Sequence, residues 1–284
     1  MSTYNVDGLI AIFRENDSLC TDGYLRFCES VDGARYLKRD FLYSSGKWRS
    51  QEITAFFRDR KRSVGVLVLG HADQYTSYKD IVCIRATGVH SIFGTNCAVV
   101  RGISQCLPLG LTNLCDDSPI HKIMGLTTPF IEVLEDDSSP HRFNNSVLLS
   151  FNKQTAEKQR AALYNQFHEQ SCVTTFTLDY SVAGRLAYLQ SIRDHDFVLC
   201  PQGNGRDTHR LWETLYLGSI PIVKRRDMPE GLLNNFPIWI VNDWSEALDP
   251  DTRATARENL LKHDWDENRL RQSYWNSIIA SHLK

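Results

Sequence analysis

Short, continuous apolar runs recur along the chain, each followed by turn-forming residues and then by a stretch with helical spacing. That alternation is the signature of an α/β fold, in which strands covered by helices on both faces are apolar throughout rather than at every second position. In the first half the clearest run is Val64-Gly-Val-Leu-Val-Leu69, which ends in the loop Gly70-His-Ala-Asp73. Asp80 to Arg85 and Cys97 to Val100 read as further strands, Leu107 to Asn113 as a turn-rich loop, and Gln51 to Arg60 as a helix. The acidic, Ser/Pro-containing stretch Glu135 to His141 has the composition of a linker, which divides the chain into α/β domains at 1–140 and 141–284.

The second half is more legible. The pattern predicts strand Ser146 to Phe151, helix Thr155 to Phe167, strand Val173 to Phe176, and helix Val182 to Arg193 with Ser181 as its cap. Strand Phe197 to Cys200 then enters the loop Pro201-Gln-Gly-Asn-Gly-Arg-Asp207, followed by a helix from about Thr208 to Leu217, a stop at Gly218 and strand Ile220 to Val223. Pro221 cannot donate to a ladder, so it is expected at the beginning of that strand or beside a bulge. Ile238 to Val241 reads as a strand, helical sequence resumes near Trp244, and one amphipathic helix is expected over roughly Glu267 to Leu283.

Composition narrows the class. With 42% apolar and 23% charged residues, the chain is expected to bury a core rather than remain disordered. A formal charge of -2 supplies no global attraction to nucleic acid or anionic membrane, so any polyanion must meet a local basic cluster. No stretch approaches the roughly 18 apolar residues a membrane span needs, and the start lacks a basic region before its apolar run, so a cytoplasmic protein is expected. The eight cysteines form no CxxC pair and no zinc spacing, and several lie in strand-like runs, so they read as buried thiols.

The chemistry concentrates in the strand, Gly-rich turn, helix, strand unit. Ligands of open α/β sheets sit beyond the carboxyl ends of the strands. Gly203 and Gly205 would let backbone approach a phosphate there, beside the positive end of the following helix. Asp207 or Thr208 can cap that helix, which places His209 and Arg210 in its first turn. Cations oppose the helix dipole at that position unless an anion is near. Glu213 follows Arg210 by three residues, a spacing that also suits a simple intrahelical ion pair. Lys224, at the end of the next strand, and Arg206 bring further basic groups to the same rim, which suits a diphosphate.

The run from Phe197 to Val223, with its Pro, Gly-rich turn, His209-Arg210, Glu213 and Gly-Ser-Ile-Pro-Ile, resembles the donor-site signature of exostosin-like glycosyltransferases, the GT47 group. The resemblance is confined to about a tenth of the chain, with fainter likeness around 148–155, 70–73 and 107–113. It implies the GT-B architecture, two Rossmann-like domains facing a cleft. The first domain would take the acceptor and the second a nucleotide-diphosphate sugar, a UDP-sugar above all. The last helix would cross back to the first domain. By the same resemblance Arg210 would contact the diphosphate, Glu213 would accept from the ribose hydroxyls, and the segment Gly203, Asn204 and Gly205 would line the phosphates. Arg206, Asp207, His209 and Lys224 complete the expected donor-binding set. Family members with membrane anchors have longer first domains, so the resemblance does not by itself carry their acceptors over to this chain.

Sugar transfer needs the leaving diphosphate stabilised and an acceptor hydroxyl activated. Arg210 and Lys224 with the helix end can serve the first need without a metal or other cofactor. His71 and Asp73, after the first strand of the first half, are the candidates for the second, Asp73 preferred. A metal-dependent alternative rests on Asp194-His-Asp196, Asp249-Pro-Asp251 and Asp264-Trp-Asp266, of which the first precedes its strand and the others adjoin helices. Two other readings stay open: a non-catalytic nucleotide- or glycan-binding protein of the same fold, and a sugar transferase acting on modified DNA bases. A nucleotide-dependent oxidoreductase is disfavoured, since the loop departs from GxGxxG and Lys224 stands where an acidic residue would bind ribose.

Overall fold

The computed structural model describes residues 4–35, 41–45, 54–55, 65–71, 73–114, 117–136 and 144–283. Helices α1 (Val6–Arg14) and α2 (Thr21–Arg35) open the chain. Strands β1 (Phe41–Ser45), β2 (Val66–Gly70), β3 (Ser91–Thr95) and β4 (Ser104–Leu107) follow, with α3 (Tyr78–Arg85) between β2 and β3. They form a parallel sheet in the order β1-β2-β3-β4. Helices α4 (Pro119–Met124) and α5 (Thr128–Glu135) lead to the second half. There β5 (Val147–Leu149), α6 (Glu157–Phe167), β6 (Val173–Thr175), α7 (Val182–Arg193), β7 (Phe197–Leu199), α8 (His209–Tyr216), β8 (Ile220–Lys224), α9 (Glu230–Leu233) and β9 (Trp239–Val241) alternate. The second sheet is also parallel, in the order β6-β5-β7-β8-β9. Helices α10 (Pro250–Leu261) and α11 (Gln272–Ser281) close the chain.

Strand alternation builds the layers. In β2, Val66 and Val68 face one apolar cluster while Leu67 and Leu69 face another, beneath Ile81 and Ile84 of α3. In the second sheet Val147, Leu149, Phe197, Leu199, Ile220 and Ile222 face α6 and α10. Leu148, Val198 and Val223 face the opposite way, into the same cluster as Val66 and Val68. One core therefore joins the inner faces of both sheets, filled by Phe13 of α1, Phe130 of α5, Trp212 and Tyr216 of α8 and Trp275 of α11. Stacking of Phe13 on Phe130 at 4.7 Å and its contact with Tyr216 at 5.1 Å fix its centre.

Two expected strands take other forms. Asp80 to Arg85 lies in α3 because Ser77 and Asp80 cap one another reciprocally, Ser77 Oγ accepting the Asp80 amide and the Asp80 carboxylate accepting that of Ser77. Cys97 to Val100 makes only isolated bridges, and the neighbouring segments Ser91–Thr95 and Ser104–Leu107 are the strands. The helix expected at Gln51 to Arg60 falls outside the described residues except for Thr54 and Ala55, as does most of the expected linker. From Ser146 to β9 the predicted elements appear with ends shifted by a residue or two. Pro221 is the second residue of β8, and pairing with β9 starts only at Ile222, so its missing N–H leaves no ladder bond unmade. The described cysteines are thiols, and no described helix is long and apolar enough to cross a membrane.

The C-terminal helix is broken: a 3-10 turn at Glu267–Leu270 and an extended Arg271 precede α11. The break lets Arg271 bridge to Ser18, and the Gln272 amide donates to the Asp17 carbonyl at 2.7 Å. Gly23 of α2 lies against the Gln272 side chain, and His282 meets the Phe93 ring at 5.0 Å. The chain end thus packs on the first sheet's side of the core.

At the carboxyl edge of that sheet Gly110 adopts φ +74°, where an added Cβ would sit 2.3 Å from the Leu19 carbonyl oxygen. Gly102 has nearly the same φ, +73°, with open space around it. Gly102→Ala is therefore expected to cost about 1 kcal/mol from backbone strain alone, and Gly110→Ala about 3 kcal/mol or more, because backbone must also move. Urea unfolding of the two variants measures the difference; equal midpoints would show that the close approach to Leu19 does not matter.

Candidate functional site

In the second sheet the chain runs from β5 to β6 on one side and returns to β7 on the other. The crevice outside the carboxyl ends of β5 and β7 is a topological switch point, where loops diverge and leave room for a ligand. A cleft of about 290 Å³ opens there. Its walls come from the loops after β5 (Asn152, Thr155), β6 (Leu178, Tyr180) and β7, and from Asp73, Leu109, Thr112 and α4 on the first-half side.

The loop after β7 brings the two halves together. A Cβ on Gly205 would lie 2.7 Å from Asn96 Nδ2 and 3.0 Å from the Asp73 carbonyl oxygen, so only glycine fits. Asn96, itself at φ 50°, accepts the Asp207 amide on Oδ1 at 2.8 Å. Asp207 in turn accepts the Leu109 amide and Trp212 Nε1, each at 2.8 Å, and burial pushes its carboxyl up to about 7 against these hydrogen bonds. Asp207 and Gly205 thus clamp the first-half loops to the start of α8. The Gly203 amide donates to the Gly205 carbonyl at 2.9 Å and is not offered to the cleft. Thr208 stands before α8 as its cap residue without a side-chain cap bond, and Thr208, His209 and Arg210 at this helix end all line the cleft.

Charge on the cleft floor is unbalanced. Arg160 of α6 donates from all three nitrogens to carbonyls: Gln202 at 2.9 Å, Asn152 at 3.1 Å and Pro201 at 3.1 Å. Burial, then the like charge of Arg210, pulls its pKa down to about 10. Arg210 makes no ion pair or side-chain hydrogen bond with any described residue, and its Nε is buried without a partner. Glu213 does not neutralise it directly. Its Oε1 accepts Arg185 Nη1 at 2.6 Å and its Oε2 accepts the Tyr188 hydroxyl at 2.9 Å, both side chains fully buried. Burial would raise the Glu213 pKa, but the Arg185 charge and hydrogen bond, with Arg210 and Tyr188, hold it below the ordinary value. Two guanidiniums, Arg185 and Arg210, therefore act on one carboxylate whose oxygens are both engaged, the carboxylate that the resemblance would assign to ribose.

The cleft collects Asp73, Gly203, Asn204, Gly205, Asp207, His209, Arg210 and Glu213 from the expected set. His209 places Nδ1 2.8 Å from the Gly110 carbonyl oxygen. The remaining three lie elsewhere. His71, at φ 53°, pairs through Nε2 with Asp22 at 2.8 Å. Arg206 stacks on the Tyr75 ring at 3.7 Å, and Lys224 reaches Asp243 at 3.3 Å. None of the three DxD sequences lines the cleft: Asp194 and Asp196 sit between α7 and β7, Asp249 caps α10, and Asp266 caps the 3-10 turn. Sequence reasoning did not single out Arg160, Arg185, Tyr188 or Asn96. A signal existed for both arginines, since Arg160 shares a stripe with Leu163 and Phe167, and Arg185 with Tyr188, Leu189 and Ile192.

Residues 135–248 match the family model described as the RXYLT1 C-terminal domain. Among solved structures, an alpha1,3-fucosyltransferase aligns at 14% identity over 87% of this chain and 90% of its own, with a TM-score of 0.42. No curated protein matches the chain.

Glu213→Gln is expected to destabilise the fold by about 3–5 kcal/mol at neutral pH, because it leaves Arg185 buried without its counter-charge. Since the folded pKa of Glu213 is depressed, its contribution is complete above the unfolded value of about 4.3 and is lost as pH falls through the folded one. The stability gap between wild type and Glu213→Gln, measured by urea unfolding, should therefore narrow on acidification below about pH 4. A constant gap from neutral to acid pH would contradict this.

Proposed function

We propose that the protein is a glycosyltransferase that binds a nucleotide-diphosphate sugar in this cleft, with the diphosphate on Arg210. The observation that carries the reading is the unpartnered guanidinium of Arg210, beside Arg160 and at the uncapped amino end of α8. Two neighbouring cations without a carboxylate of their own repel one another, and an anion between them removes that cost. A diphosphate suits the site better than a single carboxylate, because guanidinium forks and a helix end can engage several oxygens together. The match over 135–248 supports the same class, since that family is xylosyltransferase-like.

In such a reaction negative charge accumulates on the diphosphate as its bond to the sugar breaks. Arg210, with Arg160 and the α8 dipole behind it, is preorganised to stabilise that charge inside the cleft. Glu213 then serves by holding Arg185 and Tyr188 in the wall rather than by accepting from ribose. Lys224 and Arg206, both engaged outside the cleft, drop out of the donor set. Of the two residues proposed from sequence to accept a proton, Asp73 alone lines the cleft. The uridine of the donor is an expectation from the resemblance, and an acceptor hydroxyl on a glycan or other molecule would enter from the side of Asp73 and α4.

Calorimetry with UDP and a panel of UDP-sugars headed by UDP-xylose tests the assignment. Wild type should bind UDP, Arg210→Ala should weaken it by about 10- to 100-fold, and added salt should weaken the wild-type complex. Absence of UDP binding in wild type, or unchanged affinity in Arg210→Ala, would refute the site.

A further inference from the structure

Two consecutive residues of α8 line the cleft, and their side chains meet different partners. Arg210 lies toward the second-half wall, with the Phe151 ring at 5.9 Å and Arg160 as its charged neighbour. His209 lies toward the first half, held by the Gly110 carbonyl at 2.8 Å. The groups that face it are Gly110 after β4, His121 of α4, Asp73 after β2, and Glu213 of its own helix, with Arg210 next in the chain.

A carbonyl oxygen only accepts, so the hydrogen between His209 and Gly110 belongs to Nδ1. The ring is kept neutral chiefly by burial, which pushes its pKa below the ordinary histidine value with help from His121, while the Gly110 carbonyl, Glu213 and Asp73 oppose. Nε2 is then a bare lone pair. No described group hydrogen-bonds it, and His209 is one of the residues that line the cleft. A bare lone pair repels phosphate oxygens and accepts a hydroxyl. His209 is therefore unsuited to the diphosphate role expected from sequence, although it adjoins the residue that fills it. The Gly110 backbone that carries this carbonyl is packed closely against Leu19, at the positive φ described above.

We propose that His209 takes the proton of the acceptor hydroxyl, Nδ1–H fixed on the Gly110 carbonyl and Nε2 open to the cleft. This rests on the sugar-transfer reading. The hydroxyl oxygen forms a bond to the anomeric carbon as that carbon's bond to the diphosphate oxygen breaks. The hydroxyl proton passes to Nε2, and the bonding pair leaves with the diphosphate, on the Arg210 side. Asp73, exposed in the cleft, favours the resulting imidazolium by its charge and is a positioning residue for this step.

His209→Asn separates the roles, since the Asn amide can still donate to Gly110 while nothing replaces Nε2. UDP binding is measured by calorimetry, and UDP release from UDP-xylose, UDP-glucose and UDP-N-acetylglucosamine is followed against pH with water and simple glycosides as acceptors. His209→Asn should keep UDP affinity within about two-fold, yet slow UDP release by about 100-fold or more. The wild-type rate should fall on an acid limb that His209→Asn lacks. Asp73→Asn should move that limb to lower pH, because a removed negative charge lowers the histidine pKa. If His209→Asn does not fold, the direction of the Asp73→Asn shift decides. A wild-type rate in His209→Asn, a surviving acid limb, or a loss of UDP affinity as large as the loss of rate overturns the assignment. Wild type that binds UDP but releases none from the three sugars overturns it while nucleotide binding stands; wild type that binds no UDP removes the donor site itself.

Discussion

The site is organised by a charge left unpaired. Arg210 stands beside Arg160 with no carboxylate of its own, and Glu213, one turn along α8, is held on both oxygens by Arg185 and Tyr188. A protein interior tolerates clustered like charges only when something compensates them. In this cleft the protein supplies carbonyl oxygens to Arg160 and leaves Arg210 open, and it is this open charge on which the proposed binding of an anion rests.

Everything else in the second half serves to hold that arrangement. The strand order puts the crevice at β5 and β7, α8 starts there without a cap, and Leu211, Trp212, Leu215 and Tyr216 lock the helix into the core that joins both sheets. The clamp of Gly205, Asn96 and Asp207 brings the first-half loops over the helix end. Because α8 is anchored on both sides, its first two residues reach different walls. Arg210 meets the cationic floor and His209 the Gly110 carbonyl, which separates a group suited to phosphate from one suited to a hydroxyl within a single step of the chain.

The tie between the halves is largely polar at the cleft and apolar beneath it. Asp207 accepts two N–H groups from inside the protein, and α11 returns to Asp17 and Cys20 through Gln272. These bonds fix orientation, while the aromatic cluster of Phe13, Phe130 and Tyr216 supplies the bulk of the packing.

Sequence alone determined the alternating elements of the second half, the place of the Gly-rich turn and the position of Pro221. These are local matters, set by apolar periodicity and by turn and cap chemistry. It misread Asp80 to Arg85, where a capping box outweighs a short apolar run, and overlooked β3 and β4. Arg160 and Arg185 were visible as cations on apolar helical stripes, but a stripe does not say which carbonyl or carboxylate waits opposite. Tertiary structure alone decided that Glu213 belongs to Arg185, that Lys224 and His71 point to other partners, and that Gly110 sets the tautomer of His209. Those outcomes depend on contacts between residues far apart in the chain, where a hydrogen bond exists or fails within an ångström, and spacing along a sequence carries no information at that scale.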